Sequence, residues 1–162
     1  MILKVLVEGL LLGALLVAFC AIGICNGAVN MVFLYHKDVQ ERCMREGLIT
    51  KDQIQKNQRF FKSLGIPVYL VFVLVSVYVV NGARGFWTGF WQCFAILSVM
   101  NLIDRFGIDD YWVGHTKAWV IPGTEDMRPY INRKDKLGKW LIGTVGFAVL
   151  SAILSGIMTL IL

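Results

Sequence analysis

Leu6-Val-Glu-Gly-Leu-Leu-Leu-Gly-Ala-Leu-Leu-Val-Ala-Phe-Cys-Ala-Ile-Gly-Ile-Cys-Asn-Gly-Ala-Val29 carries a single charge, on Glu8. A helix on the surface of a water-soluble protein keeps a polar face. This stretch has none, so its solvent is lipid. Crossing a hydrocarbon core of roughly 30 Å takes about 20 mostly apolar residues, and three later stretches approach that need. Arg84 is the only charge between Pro67 and Leu102, and no charge follows Lys139. The expected spans are 6–29, 64–80, 86–103 and 140–162. Whole-chain composition agrees: 57% hydrophobic and 17% charged, against about 45–50% and about 25% in soluble domains. The first stretch is too long for a cleaved leader and has only Lys4 before it, so it is expected to be a retained span. Asn81-Gly82-Ala83-Arg84-Gly85 supplies turn chemistry, which predicts a tight antiparallel hairpin of the second and third spans.

Lysine and arginine placement sets the orientation. Seven lie between the first two spans and seven between the last two, against Lys4 and Arg84 on the other side. Basic loops stay in the cytoplasm. The expected fold is therefore all-α: a four-helix transmembrane bundle, N-out and C-out, forming a single membrane domain over 1–162 with cytoplasmic segments 36–63 and 104–139. The same distribution accounts for the pI near 9.1 by topology and contact with anionic lipid. No basic stripe interleaves with stacking aromatics, which excludes a nucleic-acid partner of the single-strand-binding kind.

Within the first cytoplasmic segment, the helix of the first span has no breaker before Gly47. Thr50-Lys51-Asp52-Gln53 then matches a capping box, flanked by Ile49 and Ile54 in hydrophobic-staple positions. A helical hairpin follows, its second arm running from Lys51 until Gly65 and Pro67 mark the return to the membrane. Gly9 and Gly13, Gly23 and Gly27, and Ala148, Ala152 and Gly156 recur at four-residue spacing. Small residues so spaced let helices approach closely in lipid. They serve bundling within the chain or contacts to a homo-oligomer or membrane-protein partner, through spans one and four. The cysteines at 20, 25, 43 and 93 show no metal-binding spacing and are expected to be reduced packing residues.

Chemistry concentrates in 101–126, which holds Asp104, Asp109, Asp110, Glu125 and Asp126 together with His115, Trp112, Trp119, Arg105 and Lys117. Alternation of charge with aromatics and glycine suits a shaped, partly buried surface, here expected to be a partly ordered loop after the third span. Three readings stand side by side. Asp104, Asp109, Asp110, His115, Glu125 and Asp126 could ligate a divalent metal. His115 beside Asp109 or Asp110 could form an oriented general base. Alternatively the acids pair with Arg105, Lys117 and Arg128 while Trp112 and Trp119 anchor at headgroup level. Polar residues inside membranes also invite a functional reading: Asn30 and Asn101 are expected at one depth, flooring a polar cavity. Glu8 is a candidate proton relay.

Several families are rejected by motif. The G-x-G-D, H-E-x-x-H and G-x-S-x-G signatures are absent, as are the spaced aspartates of CDP-alcohol phosphotransferases. The four-span plan is similar to that of membrane-associated eicosanoid and glutathione enzymes, but Asn57-Gln58-Arg59 departs from their arginine–asparagine–glutamate order. His115-Thr-Lys-Ala-Trp-Val-Ile-Pro-Gly-Thr-Glu-Asp126 resembles a stretch found in a group of small uncharacterised bacterial membrane proteins. That resemblance implies a bacterial cytoplasmic membrane and carries no function.

The sequence thus points first to a membrane-embedded enzyme or ligand-binding protein acting on an amphipathic, lipid-like molecule at the cytoplasmic interface. Asp104, Asp109, Asp110, His115 and Glu125 would do the chemistry. Asn30, Asn101, Arg105, Lys117, Trp112 and Trp119 would bind. The alternative is a non-catalytic subunit of a membrane complex, and the third is an oligomeric small transporter.

Overall fold

The first apolar run forms helix α1, Ile2–Ile24, and stops short of the expected boundary. The cause is the Asn26-Gly27 step. Gly27 takes φ 112° and ψ 140°, a region that a Cβ closes to other residues. The chain continues as a 3-10 segment, Ala28–Leu34, and then as helix α2, Lys37–Arg45. The expected continuous helix from the first span to Gly47 is therefore three pieces. Gly47 (φ 71°) does close the last of them, with Leu48 N–H bonded to the Cys43 carbonyl at 3.0 Å. The computed structural model describes residues 1–131 and 133–162, with only the helical backbone for 133–135.

The capping box forms as its sequence predicts. Thr50 Oγ1 accepts from the Gln53 N–H at 3.3 Å, and Gln53 Oε1 accepts from the Thr50 N–H at 3.0 Å. Helix α3, Lys51–Leu74, starts there and does not end at Gly65 or Pro67. It passes through Pro67 and continues as a π-helical turn, Val75–Val80. Proline removes one main-chain bond, a loss that membrane helices tolerate where neighbours compensate. The amphipathic arm and the second span are thus one rod. It packs on the 3-10 segment: the Phe33 and Phe61 rings lie 5.7 Å apart, and Asn57 Nδ2 donates to the Asn30 carbonyl at 3.1 Å.

Helix α4 occupies Phe86–Leu102 and is prolonged by a π-helix, Ile103–Trp112, and a last turn, Val113–His115. The expected loop from 104 is therefore helix as far as His115, and irregular chain starts only at Thr116. Helix α5, Arg133–Ile161, completes the fold. Four helical stretches are long and apolar enough to cross a membrane: Ile2–Ile24, Lys51–Val80, Phe86–His115 and Lys136–Ile161. No strand occurs among the described residues.

α4 lies between α1 and α5. Two glycines of α1 make the first contact possible. A Cβ on Gly9 would stand 2.6 Å from Val99 Cβ, and one on Gly13 would stand 2.2 Å from Ile103 Cδ1. Close backbone approach of this kind is what holds helices together where lipid removes the hydrophobic drive. Against α5, Ser155 Oγ donates to the Phe86 carbonyl. α5 is the outermost helix: 11% of its apolar window is buried, against 39% for α1 and α4. At the far end, Asn81 Nδ2 donates to Glu8 Oε2 at 2.8 Å and Lys4 Nζ to the Val80 carbonyl at 2.9 Å, fastening α1 to the end of α3. Glu8 thus has a fixed partner. The cysteines are free thiols, three of them buried as expected, whereas Cys25 is exposed beyond the end of α1. Burial pushes the Cys43 thiol up, away from the reactive thiolate.

Candidate functional site

The π-helix decides the geometry. In an α-helix, residues five apart stand about 140° from each other. With i→i+5 bonding they come close to one face, and Asp104 and Asp109 do so. Arg105 clasps both, its Nη2 donating to Asp104 Oδ2 and its Nη1 to Asp109 Oδ2. These three side chains open into a cavity of about 320 Å³ inside the bundle. Leu16 and Cys20 of α1, Phe33 and Leu34 of the 3-10 segment, and Phe61 of α3 form its apolar walls. Ile108, Val113 and Ile131 add to these, and Lys139 of α5 brings a second cation.

Trp119 roofs the cavity and is fully buried, with 0% of its surface exposed. A small polar scaffold holds it. Tyr35 Oη donates to the Trp119 carbonyl at 2.8 Å, and the Tyr35 ring stacks on Tyr130 at 4.6 Å. Burial, then the neighbouring Tyr130, pushes the Tyr35 hydroxyl well above the usual phenol range, so it stays a donor at every physiological pH. Tyr130 Oη lies 2.9 Å from Thr124 Oγ1 and accepts from the Ile121 N–H at 3.3 Å. Thr124 Oγ1 sits 2.9 Å from the Ile121 carbonyl. The Ile121-Pro-Gly-Thr124 turn, tied to Tyr130, thus braces Trp119, which is the lid residue. Trp112 packs edge-on behind Trp119 at 5.3 Å and does not line the cavity.

Trp119 Nε1 and Arg105 Nε are buried out of reach of the cavity space and have no hydrogen-bond partner among the described protein atoms, as is true of other buried polar atoms of the bundle, Tyr78 Oη, Gln92 Oε1 and Ser151 Oγ among them. An unmade bond of this kind costs about 1–3 kcal/mol, and native interiors rarely leave one without a reason.

The other expected site residues go elsewhere. Asp110 pairs with Lys136 and faces a shallow groove lined by Phe106, Leu137 and Trp140. His115 is exposed, stacks on Tyr111 and has Nδ1 2.9 Å from the Asp110 main-chain carbonyl. A carbonyl only accepts, so Nδ1 carries the proton. The expected His–carboxylate base is not formed, because the carboxylates of Asp109 and Asp110 are taken by Arg105 and Lys136. Glu125 is exposed and accepts from the Gly123 N–H at 2.9 Å, and Lys117 is exposed. Among the described residues no three His, Cys, Asp or Glu side chains come together as a metal would require. The six expected ligands are dispersed by the helical course of 103–115 and by the lid.

Asn30 and Asn101 do not share a cavity. Asn101 is buried between α4 and α5, with its Nδ2 3.5 Å from Thr144 Oγ1. Asn30 lines a separate groove of about 400 Å³ between the end of α1 and α3, together with Asn26, Asn57, Phe19, Ile22, Phe60 and Leu64. Phe33 and Phe61 belong to both spaces. Of the expected site residues, Asp104, Arg105, Asp109 and Trp119 line the cavity. Cys20, Phe33, Tyr35, Phe61 and Lys139 line it as well, and their only local signals in the sequence are those of span, interface or topology. No family model, no curated protein and no solved structure matches this chain, so its reading stands on this geometry alone.

Proposed function

We propose that this is a multi-pass protein of the bacterial cytoplasmic membrane that holds a small lipid-like molecule in the cavity beneath Trp119. The observation that carries the reading is the cavity itself, about 320 Å³ with apolar walls around the Arg105–Asp104–Asp109 cluster and Lys139. Apolar walls with a few fixed polar groups are the usual make-up of a ligand site. Binding is favoured over catalysis. Both cavity carboxylates are tied to Arg105, and His115 lies outside, so among the described residues no oriented base faces the space.

Native mass spectrometry on protein extracted gently from its own membrane tests this. One small molecule per chain is expected, with occupancy falling at least tenfold in Trp119→Phe. A bare chain in both samples would sink the binding reading. A chain arriving with a second protein would instead favour the subunit alternative. That alternative has one observation behind it: α5 is largely uncovered, and a Cβ on its Gly146 or Gly156 would meet nothing within 4 Å.

The orientation proposed with this reading is N-out and C-out, from the fourteen basic residues of the two long inter-span segments. A protease-cleavable tag after Leu162 should be cut in intact spheroplasts, without lysis. Cutting only after lysis would reverse the topology and place the cavity at the outer face.

A further inference from the structure

The polar groups lining the cavity divide into those already engaged and those still free. Arg105 uses its two terminal nitrogens on one oxygen of each aspartate, Asp104 Oδ2 and Asp109 Oδ2. The other two oxygens, Asp104 Oδ1 and Asp109 Oδ1, have no hydrogen-bond partner among the described residues, and neither is a buried atom. They belong to the part of each side chain that stays open to the cavity. Lys139 lines the same space from α5. Its charge acts on both carboxylates, yet it is in ion-pair contact with neither. Lys139 is also exposed, which puts it at the open side of the cavity. A gap thus separates two free acceptors from a free donor, among apolar walls.

We propose that the head of the bound molecule is a neutral polyol, of the glycerol or sugar kind, that bridges this gap. A hydroxyl both donates and accepts. Adjacent hydroxyls donate to Asp104 Oδ1 and Asp109 Oδ1, while another oxygen of the head accepts from Lys139 Nζ. Charge selects against other heads. Two carboxylates and two cations line the space, so a phosphate arrives as an unmatched charge beside the aspartates. An ammonium, alone or in a zwitterion, meets Arg105, which already holds both carboxylates. A plain alcohol has one hydroxyl and leaves most of the free groups unmet. Volume sets the size: about 320 Å³ lies near the lower end for ligand pockets, roughly 300–1,000 Å³. The space takes a head and the first carbons of one chain, beside Leu16, Ile108 and Val113. This inference rests on the binding reading above and narrows it to a chemical class.

Amphiphiles that share one decyl chain and differ only in the head give the test: decylglycerol ether, decanol, decyl phosphate and decyl phosphoethanolamine. Each is titrated in radiolabelled form into the protein in lipid nanodiscs, with protein-free nanodiscs subtracted for partitioning. Decylglycerol ether is expected to bind saturably, and at least tenfold more tightly than the other three. Lys139→Met should weaken it about tenfold and leave decanol unchanged. Because Lys139 is exposed and outside the Arg105 clasp, that variant keeps the fold and both carboxylates in place. Affinity for decylglycerol ether no better than for any of the other three would overturn the polyol head and leave the binding reading standing. Unchanged affinity in Lys139→Met would overturn the bridge to that cation. No saturable binding of any of the four, in protein that carries a molecule by native mass spectrometry, would also overturn the proposed class. Failure of the binding reading itself shows separately, as a bare chain in that spectrum.

Discussion

Gly9→Leu separates α1 from α4 and lowers stability by roughly 3 kcal/mol, the upper end for overpacking a close contact. The new side chain would start 2.6 Å from Val99 Cβ and 3.2 Å from the Ile96 carbonyl. Neither is the free end of a flexible chain, so relief requires the two helix axes to move apart. Gly13, one turn on, meets the Ile103 side chain, and the strain would spread along the seam. Gly146→Leu on α5 is the matched control, because nothing lies within 4 Å of a Cβ there. Its stability should change by no more than about 0.5 kcal/mol. Thermal midpoints from fluorescence-detected size-exclusion chromatography in one detergent compare them. Equal midpoints would mean that the α1–α4 contact is not the tight seam of this bundle.

Arg105→Gln is the second large effect, expected at about 3–5 kcal/mol, the cost of leaving buried charge without its partner. Asp104, Arg105 and Asp109 are mostly buried, with side-chain exposures of 24%, 20% and 12%. Removing the guanidinium leaves two carboxylates crowded on one face of the π-helix. Asp109→Asn added to Arg105→Gln should restore most of the loss, because the neutral amide needs no cation. A double variant whose loss is the plain sum of the two singles would show that the three groups do not act as a unit. The same thermal assay serves, with tryptophan emission as a check that the lid over the cavity remains in place.

How far the sequence already contained this structure depends on the range of the signal. Hydropathy over some twenty residues is a sum of local preferences, and all four long apolar helices were legible from it. The Thr50–Gln53 capping box was legible because its partners are three residues apart. Gly27 shows the limit: Asn26-Gly27 is turn chemistry, yet the apolar residues around it outweigh it in any window average. Pro67 misled in the opposite sense, since a proline that ends helices in water is carried inside α3. The π-helix had no legible signal. Asp104 and Asp109 fall on different faces at 3.6 residues per turn, and their convergence on Arg105 exists only once the helix has widened. Phe33 and Tyr35 from the 3-10 segment and its end, Phe61 from α3 and Lys139 from α5 reach the cavity from three separate elements, and no local pattern announces such a meeting.

The length of α3 with its π-turn sets a depth gauge for the whole molecule. Lys51–Val80 is a rod of 30 residues, about 45 Å at 1.5 Å per residue, while the hydrocarbon layer is roughly 30 Å. With Val80 at one boundary, an upright rod emerges at the other near Phe61. Lys51, Lys56 and Arg59 then stand clear in water, and Ile66 and Val71 stay among acyl chains. Bilayer thickness therefore chooses the register at which the Phe33–Phe61 pair meets the headgroups. Thinning or thickening the host membrane by a few ångströms moves that pair into water or into oil without altering a residue.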